Sequence, residues 1–152
     1  MTAEFECSTA IAAPPDAVFD ASLDIDLHVR SMGASRERAI AGVTSGRIGA
    51  GETVTWRARH FGVPFTMTSA ITEYERPERF VDEQRRGPFA SFRHEHRFES
   101  DASGTLMRDR IRFTAPLGPL GRMVEPLLRA YLRRLIEERN RHVRAAVEAS
   151  DA

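Results

Sequence analysis

The feature that most constrains this chain is its last apolar stripe, Leu120 to Val147. Leu120, Val124, Leu127, Leu128, Tyr131, Leu135, Val143 and Val147 recur at steps of three and four, while Arg129, Arg133, Glu137, Arg141 and Arg144 occupy the other side. The spacing predicts one long amphipathic helix, which must lay its apolar side on another layer. Nearly everything before it reads as strand, so the partner layer is a curved antiparallel sheet. A helix laid across a curved sheet need not fill the concavity, and the unfilled space is a ligand cavity. Pro126 falls inside the pattern and predicts either a short lead-in helix ending before it or a kink.

A chain of 152 residues, 41% hydrophobic and 29% charged, fits one domain, residues 1–152. No apolar run approaches the roughly 18 residues of a membrane span. The opening Met1-Thr2-Ala3-Glu4-Phe5-Glu6 lacks the basic and apolar regions of a signal peptide, so the expectation is a cytoplasmic protein with no membrane insertion. A formal charge of zero argues against a general electrostatic grip on nucleic acid. All of the 22 basic residues are Arg, which a GC-rich genome explains without any functional device. The single Cys7 excludes an internal disulfide and a thiolate metal cluster, and reads as a strand residue without chemistry.

In chain order, Glu4 to Ala12 alternates as a first strand. Pro14 and Pro15 end it, a short helix follows through Val18 and Phe19, and a second covers Asp24 to Met32. Six strands are then expected over Arg38 to Thr44, Glu52 to Phe61, Pro64 to Tyr74, Arg79 to Arg85, Ala90 to Glu99 and Thr105 to Thr114. The breaks between them are Gly49-Ala50-Gly51, Gly62-Val63, Arg76-Pro77, Gly87-Pro88 and Asp101-Ala102-Ser103-Gly104. Alternation puts Trp56 and His60 on one face, and Phe65, Met67, Ser69 and Ile71 inward. It also aligns Phe92, His94, His96 and Phe98, and sets Asp109 between Met107 and Ile111. Arg57, Arg59, Arg93, Arg97, Arg108, Arg110 and Arg112 face the other way, as a solvated face interleaved with acids.

One strand, two short helices, six strands and a long final helix is the element order of the helix-grip fold. The chain resembles the SRPBCC superfamily, which includes START lipid-binding domains, the birch-pollen allergen group and polyketide cyclase-like proteins. The stretches that carry the resemblance are Trp56-Arg57-Ala58-Arg59-His60-Phe61-Gly62, Asp82-Glu83-Gln84 with Gly87-Pro88-Phe89, and His94-Glu95-His96-Arg97-Phe98. Asp109 and Pro116-Leu117-Gly118-Pro119-Leu120-Gly121 complete it. Together they are similar to a bacterial subgroup described as ligand-binding domains. The resemblance implies an α+β fold: a curved seven-stranded antiparallel sheet, two short helices after strand one, and a long C-terminal helix over a cavity. It carries over no catalytic residue, because the superfamily holds binders, carriers and enzymes on one scaffold.

The sharpest chemical feature is polar residues on faces that are otherwise apolar: His60, His94, His96, Asp109 and, on the helical stripe, Arg139. Buried unpaired, each costs on the order of several kcal/mol, so they pair with one another or line a wet cavity. The preferred pairing joins Asp109 to a histidine or to Arg139, and the network is read two ways, as support for the sheet or as a ligand-facing cluster. Asp82 and Gln84 either bond a ligand or sit at the rim paired with Arg. Trp56, Met67 and Phe92 supply apolar walls or core. His94-x-His96 has the spacing of a metal site, with His60, Asp109 or His28 to complete it, but two histidines do not make one; no metal and no cofactor are expected. His28, on a short helix, reads as a surface or helix-end residue.

The expected partner is a hydrophobic small molecule held between sheet and helix, with a second copy of the chain left open as another. The alternatives are a cyclase or dehydratase using the same residues as acid and base, and an interaction module with a filled cavity that acts through the Pro116 to Gly121 loop and the exposed helix face. A cavity above roughly 300 Å³ with histidines on its wall favours the first two readings.

Overall fold

The computed structural model describes residues 2–150, the side chain of residue 34 excepted. Its elements run β1 (Ala3–Ile11), α1 (Pro15–Ser22), α2 (Ile25–Ser31), β2 (Arg38–Gly42), β3 (Thr53–His60), β4 (Val63–Glu75), β5 (Arg79–Arg86), β6 (Ser91–Asp101), β7 (Gly104–Thr114) and α3 (Pro119–Ser150), with a 3-10 turn at Gly33–Ser35. The strands form one antiparallel sheet in the order β1-β7-β6-β5-β4-β3-β2. This is the helix-grip fold that the sequence predicts, and α3 packs against β1, α1 and α2.

The topology explains the two short helices. β1 and β2 occupy opposite edges of the sheet, so the chain must cross its open end between them, and α1 and α2 make that crossing. Pro15 begins α1 where its missing amide costs nothing, and Asp24 caps α2 by accepting from the Leu27 amide at 3.0 Å. Register shifts in the β2–β3 pair and twice in the β4–β5 pair bend the strands. The outward arginines meet acids as expected: Arg110 and Arg112 lie on Glu4, Arg97 on Glu95 and Arg108 on Glu99.

Two apolar clusters flank the concave face. One centres on Phe19 of α1, whose ring meets Tyr74, Phe80 and Phe98 edge-on at centroid distances of 5.3–5.5 Å. The other joins Phe5, Cys7, Ile111 and Phe113 of β1 and β7 to Leu128, Leu132 and Ile136 of α3.

The long helix decides one alternative left open by the sequence and corrects the reading at another point. It runs unbroken across Pro126, so no lead-in helix ends before that residue. Its apolar stripe also does not lie on the sheet throughout. Leu128, Leu132, Ile136, Val143 and Val147 are covered, but Leu120, Val124 and Leu127 are exposed. Periodicity identifies the apolar side of a helix, not where the surface beneath it stops. At the start of α3, Gly121 is pressed against the chain: a Cβ there would lie 1.9 Å from the Pro116 carbonyl oxygen.

Two measurements test this packing. Phe19→Ala empties the centre of the first cluster and is expected to cost about 3–5 kcal/mol in urea denaturation. Burial pushes the Cys7 thiol up to about 11, leaving on the order of one thiolate in a thousand at pH 8. Iodoacetamide therefore labels Cys7 only as fast as the protein opens, and rapid labelling of the folded protein would contradict its burial.

Candidate functional site

Three strands meet α3 at one place. β5 brings Asp82, β6 brings His94 and His96, β7 brings Asp109, and α3 brings Arg139 and Asn140. His94 and His96 share a face because alternate strand residues project to one side. The register sets Asp82 opposite His94, and His96 opposite Asp109. The hydrogen bonds run diagonally across it: His96 Nε2 lies 2.7 Å from Asp82 Oδ2, and His94 Nε2 lies 2.7 Å from Asp109 Oδ1. The imidazoles stack at a centroid distance of 3.7 Å, and Phe80 covers the other face of His96 at 4.1 Å. Asn140 Nδ2 donates to Asp109 Oδ2 at 2.6 Å. Arg139 holds the assembly from above, donating to Asn140 Oδ1 at 3.0 Å and to the Ser22 carbonyl at 3.1 Å, with Nη1 3.8 Å from Asp109 Oδ1.

The two short contacts fix the proton pattern. Each ring donates Nε2–H to a carboxylate, so a neutral ring keeps Nδ1 bare. Among the described residues His96 Nδ1 is buried without a hydrogen-bond partner, 3.4 Å from Asp109 Oδ1. Burial, followed by the neighbouring His96, lowers the His94 pKa and keeps that ring neutral. Burial pushes the Asp109 carboxyl upward, but the hydrogen bond from His94 and the close approach of the His96 ring prevail and hold it well below its ordinary value. Asp82 is lowered in the same way, with Arg139 contributing. The permanent charges are then two carboxylates against one guanidinium.

Asp82, His94 and His96 each offer a metal-ligand atom, all within 4.8 Å of one another. The two ring planes lie only 21° apart in the stack, and the bare Nδ1 atoms face opposite carboxylates: His94 Nδ1 lies 3.9 Å from Asp82 Oδ2 and His96 Nδ1 lies 3.4 Å from Asp109 Oδ1. The nitrogens turned toward Asp82 are His94 Nδ1 and His96 Nε2, and the second carries the proton given to the carboxylate, so an ion at this position displaces that proton.

Above this floor lies a cavity of about 310 Å³. Trp56, Met67 and Phe92 line it together with Val54, Phe65 and Leu135, and Phe61, Pro116 and Tyr131 form the rim. Asp82, His94, His96 and Arg139 reach its wall, whereas Asp109 stands behind them, fully buried. His60 lines the rim, with Nδ1 2.7 Å from the Tyr131 hydroxyl, and burial lowers its pKa. Gln84 lies off the wall. Its amide donates to the Phe89 carbonyl at 2.8 Å and accepts from the Phe89 amide at 3.3 Å, which holds the β5–β6 connection.

The sequence reading missed three partners. His28 does stand in the last turn of α2, but it also lines the cavity, tilts over Trp56 at 4.4 Å and pairs with Glu37 at 2.6 Å. Glu37 follows a 3-10 turn, where no periodicity marks a side chain as buried. Asn140 continues the buried stripe four residues after Ile136, and a polar residue there was the available signal. Tyr131 was read only as apolar.

Residues 2–148 match the family described as polyketide cyclase / dehydrase and lipid transport. Among solved structures, TTHA0849 of Thermus thermophilus aligns with a TM-score of 0.81 at 17% identity, over 99% of this chain and 100% of that one. The Zhui aromatase/cyclase of Streptomyces aligns at 0.80 and 17% identity, over 100% and 97%. Ara h 8.0201 aligns at 0.66 and 15% identity, over 94% and 98%. At these identities the likeness establishes the fold. No curated protein matches the sequence.

The buried network predicts two steps of acid destabilisation. His94 and His60 have folded pKa values below the ordinary 6.5, so the unfolded chain takes up their protons first and stability falls as pH drops through about 6.5. Asp82 and Asp109 are depressed, so their contribution is complete above about 3.9 and is lost as pH falls through their lower folded values. Asp109→Asn removes most of the second step and costs roughly 3–5 kcal/mol at neutral pH by leaving Arg139 without its carboxylate. Urea titrations between about pH 8 and about pH 3 check both, and a profile flat through 6.5 contradicts a neutral His94.

Proposed function

The chain belongs to the polyketide cyclase / dehydrase and lipid transport family within the SRPBCC superfamily, and from that premise we propose that it binds a hydrophobic small molecule, a lipid, polyketide or aromatic compound, between the sheet and α3. The observation that carries this reading is the cavity of about 310 Å³, apolar along its walls and ending on Asp82, His94, His96 and Arg139. Trp56, Met67 and Phe92 hold the apolar body by dispersion and exclusion of water. The floor holds the ligand's polar end: Asp82 accepts from a hydroxyl, and Arg139 donates to a carbonyl. Asp109 positions His94 and Arg139 without touching the ligand, His60 and Tyr131 bond it at the rim, and Gln84 fixes the loop beside it. The protein acts in the cytoplasm on a small molecule, not on nucleic acid. The open interior weighs against a filled interaction module.

A second reading, a cyclase or dehydratase, is favoured by one observation. His94 is kept neutral by burial and oriented by a carboxylate 2.7 Å away, the arrangement of a general base toward a carbon acid.

The chain's single tryptophan lines the cavity and reports on its contents. An aromatic probe such as anilinonaphthalene sulfonate is expected to quench Trp56 at one equivalent. Ala58→Phe, which fills the space beside it, abolishes the quenching. Native mass spectrometry and extraction of the purified protein identify any natural occupant. A silent Trp56, with no displaceable probe and no co-purifying molecule, would sink the binding reading. Given a linear poly-β-ketone, His94→Gln would stop turnover while leaving binding intact if the protein is an enzyme.

A further inference from the structure

The exposed apolar side chains of this protein are concentrated at one end. Among the described residues nine large hydrophobics are exposed, and seven of them lie on the β3–β4 turn, the β7–α3 connection and the first half of α3, between 46% and 79% exposed. The same segments supply Phe61, Pro116 and Tyr131 to the cavity rim. The patch therefore borders the cavity where Phe61, Pro116 and Tyr131 line it.

Backbone conformation argues that two of these residues are there for more than packing. His60 pairs with Val63, which leaves Phe61-Gly62 as a two-residue turn with both φ angles positive, at 54° and 73°. Such a turn ordinarily takes Asn, Asp or Gly first, because a bulky side chain is strained in the left-handed region. Leu117-Gly118 repeats the pattern at 68° and 52° just before α3. Among the described residues only three non-glycines have positive φ, and two of them are these exposed apolar tips. Phe61 rests its ring on Tyr131 at 4.6 Å and offers the remainder to solvent, while Leu117 is 77% exposed. Strain held at exposed, apolar loop tips points to function.

Charge identifies the occupant. Residues 57–63, 85–90 and 116–134 carry eight arginines and one carboxylate, Glu125, in a protein whose 22 basic and 22 acidic residues otherwise cancel. The rest of the chain is left acidic. Projecting aliphatic and aromatic tips on segments this rich in arginine match the interface of an anionic bilayer: the tips enter the acyl boundary and the guanidinium groups stay among the lipid phosphates.

We propose that the cavity mouth, through Phe61, Leu117, Leu120, Met123 and Leu127, docks the protein reversibly on anionic membrane surfaces. The seat is shallow, since among the described residues no helix is long and apolar enough to cross a membrane. It gives a hydrophobic ligand a path between bilayer and cavity without crossing water. The docking surface goes beyond the binding reading and stands whether or not the cavity is filled.

The test is co-flotation of the full chain with vesicles of phosphatidylcholine, with and without phosphatidylglycerol. Wild type is expected to float with the anionic vesicles alone and to be released by salt. The double variant Phe61→Asn and Leu117→Asn places a residue at home at positive φ in each turn, so the fold is kept while binding drops about tenfold or more. Met123→Ser, on the helix face, weakens binding several-fold without touching either turn. Failure of wild type to float overturns the proposal, as does unchanged flotation of both variants. So does self-association in sedimentation, abolished by the same substitutions, without vesicle binding, which would assign the patch to a second copy. Binding only to an acidic carrier protein would overturn it in favour of a protein partner.

Discussion

A fully buried carboxylate decides how this molecule is assembled. Asp109 sits on β7 with no exposure, and its charge is tolerable only because His94, Asn140 and Arg139 converge on it from β6 and α3. That requirement fixes the rotation and height of the long helix. Arg139 also bonds the Ser22 carbonyl at the end of α1, so the same network ties the helix that crosses the sheet's open end to the one that covers its concave face. Apolar contact alone would let α3 slide, since one turn of an amphipathic helix resembles the next. A buried ion network does not slide, because each misplaced partner leaves a charge unpaired.

Anchoring α3 at its C-terminal half has a consequence at the other end. Val143 and Val147 close over the α1 side, whereas the first turns of α3 run past the sheet and expose Leu120, Val124 and Leu127. The cavity lies between these regimes, walled by Trp56, Met67 and Phe92 and floored by the network. The floor thus has two duties: it is the structural pin, and its outer members Asp82, His94, His96 and Arg139 are the polar groups that a cavity occupant meets. This joint role explains why the cluster was readable both as support and as ligand-facing.

Much of the site was legible in the sequence because strand alternation is a strong local rule. It put His94 and His96 on one face with Phe92 and Phe98, and it turned Asp109 inward between Met107 and Ile111; all are buried or line the cavity. The helical period placed Arg139 on the covered side in the same way. Periodicity cannot say how polar residues pair. The diagonal bonds from His96 to Asp82 and from His94 to Asp109 follow from sheet twist and rotamer, not from the register. Nor could it find Glu37 beside His28, because a loop residue has no period, or show that Gln84 turns to the Phe89 backbone.

The sequence by itself determined the element order, the inward faces of the strands and the presence of buried charge, since each depends on the spacing of side chains along one element. Only the tertiary structure decided which charges meet, how much space remains beneath the helix, and where the helix outruns the sheet. Those outcomes depend on distances between elements far apart in the chain. They are set by the requirement that Asp109, Arg139 and the two histidines find partners in the same small volume.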